Sequence, residues 1–574
     1  MSFLPAQWRQ FFLARPGFAL VLGVSLFTAL GAELVAATVG SKWLVALFGS
    51  QEGVIFWEEF IAGDRVLWWL SFLLVLATPL ILRFCERVPW RKLGRSIERN
   101  VTVVALISAV FYGSLMHWGA REVAYTPDEA CAILQARTFA AFRITPQVEP
   151  ELMRLVIPKW IQDTFVLFSA GSGRYIPTYS PGYALVMAPF ARFGLEWLCN
   201  PVLTALSLVA LFRLTRRLTH SDEGGAWALL FALAAPQIAL GAATYFAMPA
   251  HLLFNLLFCS LLVRGTKRAA FGAGLIGGFA LVLHNPVPHF SFALPWLVWM
   301  AFKRRSHLAP LFLGYALLFL PLFLGWNAYL KTFDAGLYVK AASKVVSLPN
   351  LLLLLARAAG LCKLVIWATP GAAGLALLGW AMARRERLLT RASAPETEGN
   401  APGFERDYLW LFGVSALVNF ALYLFVIFDQ GHGWGFRYMH QSWMVLSILP
   451  AYFLVKANSH WKRLAAVFCA SGLLVMLPLR TLQLRSFMDF IVSNGPPPAP
   501  NAPSITFIDE RDQRVVFVQD DPFLRDSHWS LRTQSPARNA AIAQRYLKDA
   551  RRVQNGKWGE RWTGSAFLRP GSPQ

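Results

Sequence analysis

The chain reads as an all-α polytopic membrane protein, a bundle of about 13 transmembrane helices with a small extracytoplasmic α/β appendage at its C-terminal end. Three observations carry that expectation. Hydrophobic residues make up 56 % of the 574 positions and charged residues only 15 %. Apolar runs such as 16 to 37, 66 to 82 and 308 to 326 approach or reach the roughly 20 residues that cross a hydrocarbon core of about 30 Å. The basic residues stand at the ends of such runs: Arg83, Arg87, Arg91, Lys92, Arg95 and Arg99; Arg213, Arg216 and Arg217; Lys303, Arg304 and Arg305; Arg384, Arg385 and Arg387.

That placement explains the net charge of +22 as positive-inside orientation, so no nucleic-acid partner is expected. The six cysteines are scattered without a CxxC pair, which indicates neither a disulfide framework nor a zinc site. Arg9 and Arg15 precede an apolar stretch that continues to about Gly40, too long for a signal-peptide core, so an uncleaved first span is expected.

With every basic cluster inside, crossings fall near 17–38, 66–84, 100–117, 183–214, 225–242, 246–263, 269–284, 288–302, 308–326, 361–382, 408–428, 439–456 and 463–479. This puts the N-terminus in the cytoplasm and the C-terminus outside. The stretch 183–214 holds Pro189, Arg192 and Pro201 and is long for one crossing, so a short interfacial helix is expected ahead of the true span. The chain divides into an N-terminal pair of spans with a basic loop (1–99), a core with a large outer loop at 117–181 (100–480), a Pro-rich linker (481–503) and a C-terminal region (504–574). Within that last region 504–509 and 514–519 read as strands around a turn at 510–512, and 539–553 has helical spacing. A unit this small is expected to pack on the outer loops. In the large loop, Glu151, Leu152, Leu155, Val156, Trp160 and Ile161 have an amphipathic texture suited to the interface, whereas the inner loop 390–407 reads as a mobile linker.

Three segments carry candidate chemistry. The first is Pro127-Asp128-Glu129, just outside the third span and ahead of an expected helix at 130–141. Thr126 or Asp128 could merely cap that helix, since acids favour a first turn; alternatively Asp128 is a base facing a site at the membrane surface, with Glu129 assisting it or binding a metal. The second runs from Arg174 to Tyr183, where Tyr175, Tyr179 and Tyr183 either form an aromatic belt around a Pro-Gly turn or line a polar cavity. The third is Asp429 to His440, in which three glycines alternate with large residues before a span. Arg437 there either snorkels or binds an anion, and a guanidinium beside glycine-lined backbone suits a lipid phosphate. His251, His284, Asn285, His432 and Lys340 are further candidates for the cavity wall.

In order and sidedness the three segments resemble those of the polytopic lipid-linked-sugar glycosyltransferases of the GT-C fold, in particular bacterial relatives of the dolichyl-phosphate-mannose protein mannosyltransferases and of the aminoarabinose lipid A transferases. The resembling residues are Pro127-Asp128-Glu129, Tyr179-Ser180-Pro181-Gly182-Tyr183 with Pro189, and Gly433-Trp434-Gly435-Phe436-Arg437-Tyr438, within about 110–460. The resemblance implies a GT-C-like bundle, a polyprenyl-phosphate sugar donor, a glycan, lipid or protein acceptor, surrounding membrane lipids as partners, and an active site on the outer face of the inner membrane. It also implies that Asp128 is the base or a metal-site residue and that Arg437 and Tyr438 contact the lipid phosphate. The chain departs from the pattern in having three spans rather than one before the acidic loop and Ser-Pro-Gly where many relatives have two prolines. No acidic partner can be chosen among Glu149, Glu151 and Asp163, which leaves a divalent cation, Mg or Mn, open.

The residues allow the chemistry on their own terms. Displacing a polyprenyl phosphate from an anomeric carbon needs a base for the acceptor proton but no general acid, because the leaving phosphate is already a weak base. The competing classes are a transporter or flippase and a non-catalytic envelope-assembly partner. Transporters place ionisable groups near the midplane, whereas here the acids cluster in outer loops and only Arg357 sits within an apolar stretch.

Overall fold

A computed structural model describes residues 16–38, 51–82, 90–159, 162, 165–169, 171–333, 348–349, 351–393, 404–426, 434–509 and 521–568. His432, Lys340, Trp160, Ile161, Asp163, the expected strand 514–519 with its turn 510–512, and most of the loop 390–407 lie outside the described residues.

The helices follow the apolar runs. They are α1 (Pro16–Thr38), α2 (Gln51–Ile81), α3 (Trp90–Arg99), α4 (Val101–Ser114) and α5 (Pro127–Ala140), then, after a short hairpin, α6 (Gly182–Ala191), α7 (Cys199–Thr219), α8 (Asp222–Leu233) and α9 (Pro236–Ala242). The core continues with α10 (Met248–Leu262), α11 (Lys267–Ala280), α12 (Val287–Lys303), α13 (Leu308–Leu330), α14 (Leu351–Ile366), α15 (Ala372–Ser393) and α16 (Phe404–Tyr423). It closes with α17 (Val445–Lys456), α18 (Ser459–Ser471) and α19 (Leu477–Asn494), the last two joined through a π-helical turn.

Among the described residues six helical stretches are long and apolar enough to cross a membrane, or seven if α8 and α9, bent by 67° at Pro236, form one broken span. Thirteen full spans are therefore not what the described helices give. Several expected crossings are shorter or interrupted: 361–382 is two helices separated at 367–371, where Gly371 adopts a φ of +76°. The long stretch 183–214 does divide, into the short α6 and the spanning α7. Along α13, Phe312, Leu313, Leu317 and Leu324 are each more than half exposed. A row of bare apolar side chains on one helix suits contact with lipid rather than water.

The amphipathic stretch of the outer loop is not one helix: after α5 the described residues form a single helical turn, Pro150–Met153, and then a hairpin of β1 (Val166–Ser169) and β2 (Arg174–Pro177) in antiparallel register. Leu152, Leu155, Val156 and Phe168 instead share one buried core with Ile505, Phe507, Trp529, Leu531 and Tyr546 of the C-terminal region. Apolar positions that look amphipathic in isolation are thus covered by protein. That region is a four-stranded sheet of β3 (Ser504–Ile508), β4 (His528–Arg532), β5 (Arg551–Gly556) and β6 (Gly559–Thr563) in the order β4-β3-β6-β5, with only the β3–β4 pair parallel. Its helix α20 (Pro536–Tyr546) is capped by Ser535 and stops before 547, so the helical spacing read across 539–553 extends too far: Arg551 onward pairs in the sheet. The small unit packs on the outer loop as its size requires, with Arg532 N donating to Leu155 O at 2.7 Å.

Candidate active site

The Pro-Asp-Glu segment opens α5. Thr126 is the N-cap and its hydroxyl accepts from Glu129 N, Pro127 occupies the first turn, and both acids fall where the helix N-terminus favours negative charge. The two adjacent carboxylates then part company, because successive helical residues point about 100° apart.

Glu129 turns inward and is 1 % exposed. It accepts from Tyr125 N at 3.3 Å, Thr126 Oγ1 at 3.1 Å and Tyr245 N at 3.0 Å. Burial pushes its carboxyl up to about 7, against the lowering effect of those bonds. It clamps the start of α5 to the 244–246 segment.

Asp128 turns the other way, toward a cleft. Its Oδ1 accepts a short hydrogen bond from the Tyr179 hydroxyl and its Oδ2 lies 3.2 Å from Arg437 Nη1. Burial and the Asp128 charge hold the Tyr179 hydroxyl well above its ordinary value, so it remains a donor. Burial would pull the Arg437 guanidinium down, but the charge of Asp128 more than restores it. The guanidinium also lies 4.1 Å from the centre of the Phe246 ring.

Each partner has its own support. The Tyr179 ring stacks on His284 with centroids 4.3 Å apart, and Ser180 N, Gly182 N and Tyr183 N donate to the carbonyls of His284, Val282 and Leu283. This pairing explains the glycine in the Ser-Pro-Gly turn: a Cβ at position 182 would stand 2.5 Å from Val282 O. Tyr183 donates to Asn200 Oδ1 at 3.0 Å, and Asn200 Nδ2 donates to Thr244 O and Phe246 O, which fixes the strip that also holds Glu129.

Arg437 begins a 3₁₀ turn, Arg437–Ser442, whose backbone is held by buried amides. Gln237, beside the bend between α8 and α9, both accepts from Phe436 N at 3.2 Å and donates to Phe436 O at 3.1 Å. Asn419 Nδ2 and Gln441 Nε2 donate to Tyr438 O at 3.0 and 2.6 Å. Gly435 has a φ of +83° and packs against the Gln237 side chain, so a side chain there meets both strain and a clash.

The cleft opens to solvent, and its empty space, mouth included, is about 360 Å³. Helix α5 contributes Asp128, Ala132 and Gln135 to its wall; the 179–184 segment contributes Tyr179, Ser180, Tyr183 and Ala184; Phe246, Ala247, Met248, Leu283 and His284 complete it.

Of the sequence candidates, Asp128, Tyr179, Tyr183 and His284 meet at this cleft, and Arg437 reaches it through Asp128. Tyr175 does not: its hydroxyl donates to Pro522 O at 2.6 Å and its ring lies in the core shared with the C-terminal region. Tyr438 stacks on Tyr423 at 4.3 Å and is absent from the cleft wall. His251 is fully buried one turn beyond Met248, and Asn285 accepts from Val287 N at the start of α12.

A divalent cation has no fitting cradle among the described residues. Glu129 is committed to three donors and Asp128 to Tyr179 and Arg437, and no group of three His, Cys, Asp or Glu side chains converges.

Residues missed by the sequence reading are Gln135, Asn200, Gln237 and Asn419. A signal existed for Gln135, seven residues beyond Asp128 and thus on the same helix face. For the other three the backbone partners are 19 to 199 positions away, which no local pattern announces.

Fold and site together define a multi-pass membrane protein with an acid–arginine pair at the wall of a cleft. No family model and no curated protein matches the chain. Two solved structures are similar over 80 % of this chain and 97 % of theirs, each with a TM-score of 0.47: ArnT from Cupriavidus metallidurans bound to undecaprenyl phosphate, at 13 % identity, and the same protein in the apo state, at 14 %.

Proposed function

We propose that this chain is an integral membrane glycosyltransferase that moves a sugar from a polyprenyl-phosphate-linked donor to an acceptor on the extracytoplasmic face of the inner membrane. The observation that carries the reading is the pairing of Asp128 with Arg437, 309 positions apart, at 3.2 Å beside the cleft. A carboxylate and a guanidinium are the two groups an inverting displacement needs.

In this reading Asp128 takes the proton of the acceptor hydroxyl, the acceptor oxygen bonds to the anomeric carbon, and the carbon–oxygen bond to phosphate breaks with its electron pair leaving on the polyprenyl phosphate. The sugar carbon inverts because the displacement is single. Arg437 stabilises the phosphate, first as diester and then as leaving group.

The test compares envelope glycans and glycolipids in cells with the wild-type protein, with none, and with Asp128→Asn at matched membrane abundance. Loss of the same sugar from both altered strains is expected. A deletion that changes the glycans while Asp128→Asn behaves as wild type would favour a flippase or assembly role instead.

A further inference from the structure

We infer that the cleft beside Asp128 is the subsite for the transferred sugar, and that Gln135 reads a polar group on the side of that sugar remote from its anomeric carbon. The inference rests on the glycosyltransferase reading and deepens it.

Gln135 is 2 % exposed and lines the cleft, yet among the described residues its Nε2 has no hydrogen-bond partner. A buried amide donor left without an acceptor is destabilising, and native proteins rarely keep one without a reason. A ligand acceptor in the cleft supplies that reason. Between Gln135 and Asp128 stands Ala132, and Ala184 and Ala247 face it from other elements, so small side chains keep the space open. The wall also carries the stacked rings of Tyr179 and His284.

The geometry points to a sugar rather than to the lipid. Seven residues of helix separate Asp128 from Gln135, a rise of about 10 Å, which matches one sugar ring with a hydrogen bond at either end. An isoprenoid chain offers no acceptor to an amide. The donor phosphate is served at the opposite end, by Arg437, so the sugar it carries extends from the Asp128 end toward Gln135. Gln135 takes no part in proton transfer; it is a specificity residue, comparable to sites that reject an analogue lacking one hydroxyl because a buried polar group then goes unpaired.

The test measures binding to the purified full chain of undecaprenyl phosphate and of synthetic undecaprenyl phosphates bearing glucose, galactose, mannose or xylose. Wild type, Gln135→Leu and the isosteric Gln135→Glu are compared, the last keeping the experiment informative should the leucine variant fold poorly. Wild type is expected to prefer one sugar by about tenfold or more, and both variants to lose about tenfold for that sugar while undecaprenyl phosphate itself binds within about twofold of wild type. A sugar ranking unchanged in either variant, or no ranking in wild type, overturns the assignment of Gln135 and leaves the glycosyltransferase reading standing. Failure of wild type to bind undecaprenyl phosphate or any of the four donors overturns both.

Discussion

Asp128 and Glu129 are neighbours in sequence and opposites in role. The local pattern Pro-Asp-Glu was enough to mark the position and to raise capping and chemistry as rival explanations; in the folded chain Thr126 is the cap, Glu129 is buried and Asp128 faces the cleft. Glu129 is the buried clamp, and its raised carboxyl has a consequence for stability. A carboxyl whose folded value lies above its unfolded one favours the native state while protonated, so the contribution present below about 4.5 is lost as pH rises through about 7. Thermal unfolding in detergent should therefore fall between pH 5 and 8 (roughly the window in which such a group titrates), and the slope should flatten in Glu129→Gln. Tyr179→Phe removes a hydroxyl that holds one oxygen of Asp128. If Asp128 is the base, turnover should drop by about tenfold, because its carboxylate loses the hydroxyl that positions it.

At the scale of elements, the site is a meeting of three segments whose backbones are fixed by side chains from elsewhere. The split of 183–214 was legible because prolines and an arginine interrupt an apolar run, and the hairpin-like pairing at 180–183 follows from a glycine that lets two backbones touch. The break at 367–371 carried a signal that the expected crossing 361–382 passed over: Pro370-Gly371 is a breaker, and Gly371 adopts a positive φ. The Arg437 turn depends on Gln237, which substitutes for a strand partner by bonding both polar groups of Phe436. Gln237→Leu removes both of these hydrogen bonds, while Phe436 O keeps Met439 N, at a cost of about 1 to 3 kcal/mol. The expected result is a loss of donor affinity of about tenfold or more, read by undecaprenyl phosphate binding, with the chain still inserted in the membrane. Gly182→Ala should act on the other wall, lowering turnover through displacement of Tyr179.

Across the whole molecule, hydropathy and the placement of Lys and Arg carried the polytopic class, but not which helices complete a crossing or which buried charges join them. One such join is the cluster in which Asp64 of α2 pairs with Arg480 of α19 and, at 3.3 Å, with Lys363 of α14; Arg480 also stacks 4.0 Å from the centre of the Trp367 ring. One anion there serves two cations, and Arg480 is fully buried. Asp64→Asn removes the carboxylate that Arg480 and Lys363 share and should destabilise the chain by about 3 to 5 kcal/mol, seen as a sharp fall in monodisperse yield and unfolding temperature. No spacing rule connects positions 64, 363 and 480, so this contact belongs to the fold alone. The account stands or falls on the division of labour between Asp128 and Arg437, and the direct measurement is donor affinity and turnover in Asp128→Asn and Arg437→Ala with the same polyprenyl-phosphate sugar. Asp128→Asn should lower turnover by about 10² to 10⁴ with donor affinity little changed, and Arg437→Ala should weaken donor binding by about tenfold or more. Wild-type turnover in Asp128→Asn, or wild-type donor affinity in Arg437→Ala, would contradict it.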